Sequence, residues 1–218
     1  MARVYEIDGV VPVVHEGAFV HPDAILIGDV CVGERCYVGP AACLRGDFGR
    51  IRLDEGVSLQ DTCVVHSFPE MDTILKEACL IGHGAILHGC TIESQALVGM
   101  NAVVMDGAAV GRQAIVAAGA LVPAGASVPS GCLGAGAPLR VLRRLLPEER
   151  RWLQDGVAAY HDLVRRCLTS LRPAEPLRHM PARRKRLACS RELSRTLHDI
   201  KRLMSANASD LSRRIGPA

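Results

Sequence analysis

Branched apolar residues recur at every sixth position through most of this chain. Val20, Leu26, Val32, Val38 and Leu44 open the series. The register slips and resumes at Leu53, Leu59 and Val65, then slips again to Leu75, Ile81 and Leu87. After one more slip it runs through Ile92, Val98, Val104, Val110, Val116, Val122 and Val128. Four residues after most of these comes a small side chain, as at Ala24, Cys36, Ala42, Cys63, Cys79, Ala85, Ala102 and Ala114. A period of six fits neither a helix of about 3.6 residues per turn nor a strand alternating by two. It is the hexapeptide signature of a parallel β-helix. In the left-handed form, three hexapeptides close one triangular coil of about 18 residues, and coils stack about 4.8 Å apart. The branched residue fills the prism and the small one fits its corners. The expected fold is therefore all-β, a left-handed parallel β-helix over residues 1–138, followed by a C-terminal α-helix.

The prism is expected to end near Gly134-Ala135-Gly136-Ala137-Pro138. Pro147-Glu148-Glu149 then reads as a helix start, with proline early and acids in the first turn. Leu153, Val157, Tyr160, Val164, Cys167 and Leu171 give that helix an apolar face, and Arg172-Pro173 ends it. Residues 139–187 are thus a helical segment packed on the prism. Residues 188–218 are a basic tail, in which Leu193, Leu197, Ile200 and Met204 fit one more helix, with disorder the alternative.

Three histidines stand at matching places in the repeat. His66 follows Val65 and His88 follows Leu87, so both hold the second position of a hexapeptide. They are 22 residues apart; the slip after Val65 accounts for four, which leaves 18, one full coil. The two rings are therefore expected to stack on one face, about 5 Å apart, where they can share a Zn²⁺ with N–Zn bonds of about 2.0–2.1 Å. His83 holds the third position of a different hexapeptide and projects from another face. It reaches the same metal only if a second prism packs alongside, and a closed trimer makes three such sites. The extra residues 67–73 form a loop beside His66, and Phe68 on it is a candidate lining for an apolar pocket.

A second constellation lies upstream. Leu44-Arg45-Gly46-Asp47-Phe48-Gly49-Arg50 places Arg and Asp two apart at a register slip, and Gln60-Asp61 follows about one coil later. The planar fork of arginine suits a carboxylate, so Arg45 pairs with Asp47 or Asp61. Gln60 is a neutral donor and acceptor able to orient a metal-bound water.

These motifs resemble the γ-class carbonic anhydrases, and within them a bacterial subgroup, the PaaY-like and CaiE-like proteins. Gly46–Arg50, the Phe68–Thr73 segment, Gly82–Cys90 and the run from Ala96 to Gly107 carry the resemblance, which covers about residues 3–187. It implies homotrimers with each metal between two subunits, held by His66 and His88 from one and His83 from its neighbour. PaaY-like proteins are thioesterases that clear hydroxyphenylacetyl-CoA side products in phenylacetate degradation, whereas CaiE-like proteins accompany carnitine metabolism. Phe68-Pro69-Glu70 leans towards the former. One departure concerns the prototype anhydrase, whose longer acidic loop carries a proton shuttle; here that segment is short, with Glu70 and Asp72 as its acids.

The resulting expectation is metal-assisted hydrolysis of an acyl-CoA thioester. Three neutral imidazoles hold Zn²⁺, with Fe²⁺ or Co²⁺ also suited to them. Gln60 orients the water, Asp47 accepts its proton, and Arg45 with Asp61 holds the subunit interface. CO₂ hydration, CoA-dependent acyl transfer and a non-enzymatic assembly role are the other readings.

The low aromatic content of 3% suits a narrow prism. Nine cysteines, several at interior small positions, read as small hydrophobes in a reducing cytoplasm; Cys90 is the one cysteine placed beside the histidines. No signal peptide or membrane span is expected. Residues 139–218 carry a net charge of +11 against −8 for residues 1–138, which together give +3. A basic tail can steer a CoA phosphate. Arg183-Arg184-Lys185-Arg186 lacks the aromatic platform of a nucleic-acid site, so none is expected.

Overall fold

The computed structural model describes residues 2–187. The chain winds into a left-handed parallel β-helix of about seven turns with one C-terminal helix. Three faces form the prism. The first stacks the start of Cys43–Leu53 under Val64–His66, Ile86–His88, Val103–Val104 and Leu121–Val122. The second stacks the end of Cys43–Leu53 under Thr73–Leu75, Thr91–Ile92, Ala109–Val110 and Ser127–Val128. The third runs from Phe19–Val20 through Tyr37–Val38, Ser58–Leu59, Leu80–Ile81, Leu97–Val98 and Ile115–Val116 to Cys132–Ala135.

The six-residue period sets this packing. Leu26, Leu44, Leu53, Leu59, Leu87 and Ile92 fill the interior and are fully buried. Each contributes roughly 1.5–3 kcal/mol by leaving water. Ala24, Cys36, Ala42, Cys63, Ala85 and Ala102 sit buried in the corners, a place that Val30 and Val57 take in two other repeats. Val20 and Ala126, at the prism ends, are only partly buried.

The three register slips have three structural causes. At the first, Cys43–Leu53 stays one continuous strand that bends from the first face to the second. The second is the loop beside His66, pinned at its base by Ser67 and Thr73: their hydroxyls lie 2.9 Å apart, and the Thr73 hydroxyl donates to the His66 carbonyl at 2.6 Å. The third, where Leu87 to Ile92 spans five residues instead of six, is a tight corner at Gly89, with φ of +53°.

A strand the period does not announce, Arg140–Arg144, returns antiparallel to Cys132–Ala135. The helix runs Pro147–Ser170 along the third face. Leu153 is buried with Ile115 and Leu145, the Tyr160 ring lies 5.5 Å from that of Tyr37, and His161 Nε2 is 3.3 Å from the Gly56 carbonyl oxygen. Leu171 lies beyond the helix and is exposed, because the chain turns extended there. The proposed tail helix around Leu193–Met204 falls outside the described residues. Among the described residues, no helix is long and apolar enough to cross a membrane.

Candidate metal centre

Val65 and Leu87 point into the prism, so the residues after them must point out. The strands bearing them pair in parallel with His88 opposite His66. Both rings therefore stand on the rim of the first face, with centroids 5.0 Å apart.

The two rings belong to a linear chain of four side chains. Asp47 Oδ1 lies 2.9 Å from His66 Nε2, His66 Nδ1 lies 3.0 Å from His88 Nε2, and His88 Nδ1 lies 2.5 Å from Asp106 Oδ1. A carboxylate only accepts hydrogen bonds. Each histidine therefore donates its N–H outward to an aspartate, and the remaining nitrogens of two neutral rings face each other as lone pairs. Facing lone pairs repel unless a cation or a shared proton lies between them. Two nitrogens on a tetrahedral zinc are about 3.3 Å apart, given N–Zn bonds of about 2.0–2.1 Å. The donor set fits a zinc-type ion: two imidazoles whose other nitrogens are fixed by carboxylates.

Arg45 lies beneath His66 and pairs with Asp47, its Nη1 2.5 Å from Oδ2. Burial works against the charge of Asp47, but hydrogen bonds from Arg45 and His66 outweigh it and hold the carboxyl below its ordinary range. Asp47 thus stays an acceptor for His66. The Phe48 ring lies 5.5 Å from that of His66, and its side chain is 58% exposed. Phe68 is 59% exposed on the loop, so within one chain it lines no closed pocket.

His83 sits at the opposite edge of the first face, in the corner between Leu80–Ile81 and Ile86–His88. Its Nδ1 is 3.0 Å from Asp61 Oδ2, so Asp61 serves His83, while Arg45 takes Asp47. Gly39 leaves room for Asp61, since a Cβ there would come within 2.5 Å of Oδ1. Gln60 is buried, and its side chain makes no hydrogen bond among the described residues. Between the two histidine edges the first face shows apolar surface to solvent, with Val64 and Ile86 each 42% exposed.

Among the described residues of one chain, no three His, Cys, Asp or Glu side chains form a group that could hold a metal ion. The histidine pair and the third histidine lie at opposite edges of one face. Cys90 is a buried thiol pushed by desolvation up to about 12, and it is no ligand or nucleophile as it stands. All eight cysteines of the described residues are free.

One member of the chain, Asp106, lies in the Ala96–Gly107 run that carries the family resemblance, but the sequence motifs assign it no role at the site. Its signal is the coil length: it lies 18 residues after His88, the interval that relates His66 to His88 once the loop is removed.

No family model matches the chain. The carnitine operon protein CaiE of Salmonella agona (strain SL483) is 49% identical over 183 residues, covering 84% of this chain and 92% of that protein. The CaiE protein of Escherichia coli (strain K12) is 49% identical over the same length, covering 93% of its relative. Among solved structures, a hexapeptide transferase family protein from Anaplasma phagocytophilum is similar, with 39% identity and a TM-score of 0.72 over 75% of this chain and 96% of that one. A Bacillus cereus protein provisionally described as an acetyltransferase shares 32% identity, with a TM-score of 0.74 over 75% and 95% of the two chains.

Proposed function

The chain belongs to the CaiE family of hexapeptide-repeat proteins, and on that footing we propose that it is a metal-dependent hydrolase of acyl-CoA thioesters of the hydroxyphenylacetyl type, working in the cytoplasm in phenylacetate degradation. The observation that carries this reading is the pair of imidazole nitrogens 3.0 Å apart, each ring held from its other nitrogen by an aspartate. Such an arrangement favours a cation over an acyl acceptor, because a general base needs only one free imidazole nitrogen.

The assembly in this reading is a homotrimer, and the first face supports it. Its apolar strip at Val64 and Ile86 needs a cover, and its two edges bear complementary parts of a ligand set. A neighbouring copy packed there brings its own His83, steered by Asp61, towards the His66–His88 pair.

Zn²⁺, or Fe²⁺ or Co²⁺ in its place, held by His66, His88 and a neighbour's His83, would supply an acidified water and a Lewis acid. Asp47, fixed by Arg45, would hold the His66 ring proton on Nε2 and so orient that ring, and Gln60, whose amide is otherwise unengaged, would orient the attacking water. Arg45 and Asp61 hold the two edges in shape. Phe48, exposed against the His66 ring, would form an apolar lip for an aromatic acyl group.

The transferase-like solved structures favour a second reading, CoA-dependent acyl transfer, and the same site can hydrate CO₂. The discriminating experiment is thiol release from hydroxyphenylacetyl-CoA by zinc-loaded protein without any amine or hydroxyl acceptor, with His88→Ala in parallel. Release that is lost in the variant supports hydrolysis. Release only when an acceptor is added supports transfer, and CO₂ hydration without thiol release supports an anhydrase.

A further inference from the structure

We propose that Asp106 is a positioning residue that fixes the His88 ring for a divalent cation, and that Gly89 leaves the space for it. The inference rests on the metal-centre reading above.

Asp106 stands one coil beyond His88 and reaches back to it, with Oδ1 2.5 Å from Nδ1. Among the described residues that carboxylate makes no other side-chain hydrogen bond or ion pair, whereas Asp47 divides itself between His66 and Arg45. His88 is therefore its one hydrogen-bonding side chain, and its charge also helps keep the buried Cys90 thiol protonated. The carboxylate holds the ring proton on Nδ1, leaves the Nε2 lone pair directed at His66, and makes that nitrogen a stronger donor.

The backbone is shaped around this contact. A Cβ at Gly89 would lie 2.7 Å from Asp106 Oδ1, which would push the carboxylate off the ring. Gly89 also takes the left-handed conformation that shortens the corner by one residue. The Gly107 N–H donates to the Gly89 carbonyl at 2.7 Å, which ties the coil carrying Asp106 to the one carrying His88. The short corner, the missing side chain and the carboxylate are three features of one arrangement.

The test is the zinc affinity of the full chain, measured by competition with a chromophoric chelator, for wild type, Asp106→Asn, Asp106→Ala and Gly89→Ala. Imidazole ¹⁵N spectra of the metal-free proteins and their melting temperatures accompany it. Affinity is expected to fall about tenfold in Asp106→Asn and towards a hundredfold in Asp106→Ala. The melting temperature stays near wild type, and the His88 signals shift from the Nδ1–H form to a tautomer mixture. Gly89→Ala weakens zinc binding in the same direction. Wild-type affinity in both Asp106 variants overturns the proposal. Absence of zinc binding by the wild type overturns it together with the metal centre. Tight zinc binding without thiol release removes only the hydrolase reading, and Asp106 is then judged on affinity alone.

Discussion

His66 Nδ1 faces His88 Nε2 at 3.0 Å, and the second nitrogen of each ring is held by an aspartate. The strand register beneath them puts the two residues opposite each other, so the pairing belongs to the fold and not to a chance of side-chain rotation. It also makes the two histidines jointly necessary, since either one alone offers a single nitrogen.

His66→Ala and His88→Ala should each abolish tight zinc binding and thiol release together. Both rings are outside the core, so the variants should melt close to wild type. Plasma emission analysis of metal content, run beside the thiol assay, checks this. Full activity in a variant with no bound metal would contradict it.

The helix and the histidine face should be separable. Glu149 is buried, accepts from Leu146 N–H at 2.9 Å, and forms a two-pronged pair with Arg143 at 2.7 and 2.8 Å. Removing one partner of such a pair costs about 3 kcal/mol or more. Glu149→Ala should lower the melting temperature and the helical circular dichroism signal. Zinc affinity should hold, because the helix packs on the third face and the histidines lie on the first.

The same prism that shows the histidines in sequence hides their partners. The period of six identifies every coil, and its arithmetic gives the His66–His88 stack directly. Asp106 obeys that arithmetic too and lies in the Ala96–Gly107 run, but nothing in that run ties it to His88, and only the stacked structure shows its reach over Gly89. Arg140–Arg144 was not legible because an antiparallel return strand has no hexapeptide period. For Arg45 the spacing left two partners open, and the bend in Cys43–Leu53 decides between them by turning Asp47 back towards it. Phe48, not Phe68, is the phenylalanine against His66, since the bent strand carries it there while the loop points outward.

The corner cysteines should make the protein sensitive to alkali. Burial lifts Cys36 and Cys63 from 9.0 to about 11, and Cys90 to about 12. Below pH 9 these thiols are neutral in the folded and unfolded chains alike, so stability is intact. Between pH 9 and 11 the unfolded chain loses protons that the folded chain keeps, so stability falls as pH rises. At pH 10 the loss is about 1 kcal/mol per thiol. Urea midpoints at pH 8 and pH 10 should show the fall, and it should be smaller in the double variant Cys36→Ala, Cys63→Ala. An equal fall in that variant would assign it to other groups.

The most direct test of a metal site shared between copies is to mix two inactive variants, His83→Ala and His88→Ala, by unfolding and refolding them together at equal amounts. One then assays thiol release from hydroxyphenylacetyl-CoA with zinc. In a closed trimer each mixed assembly regains one complete site, built from the His66–His88 pair of one chain and the His83 of the next, so about a quarter of the wild-type activity should return. If wild type is active and the mixture stays as inactive as its parents, the three histidines do not meet across a subunit boundary and the account is wrong.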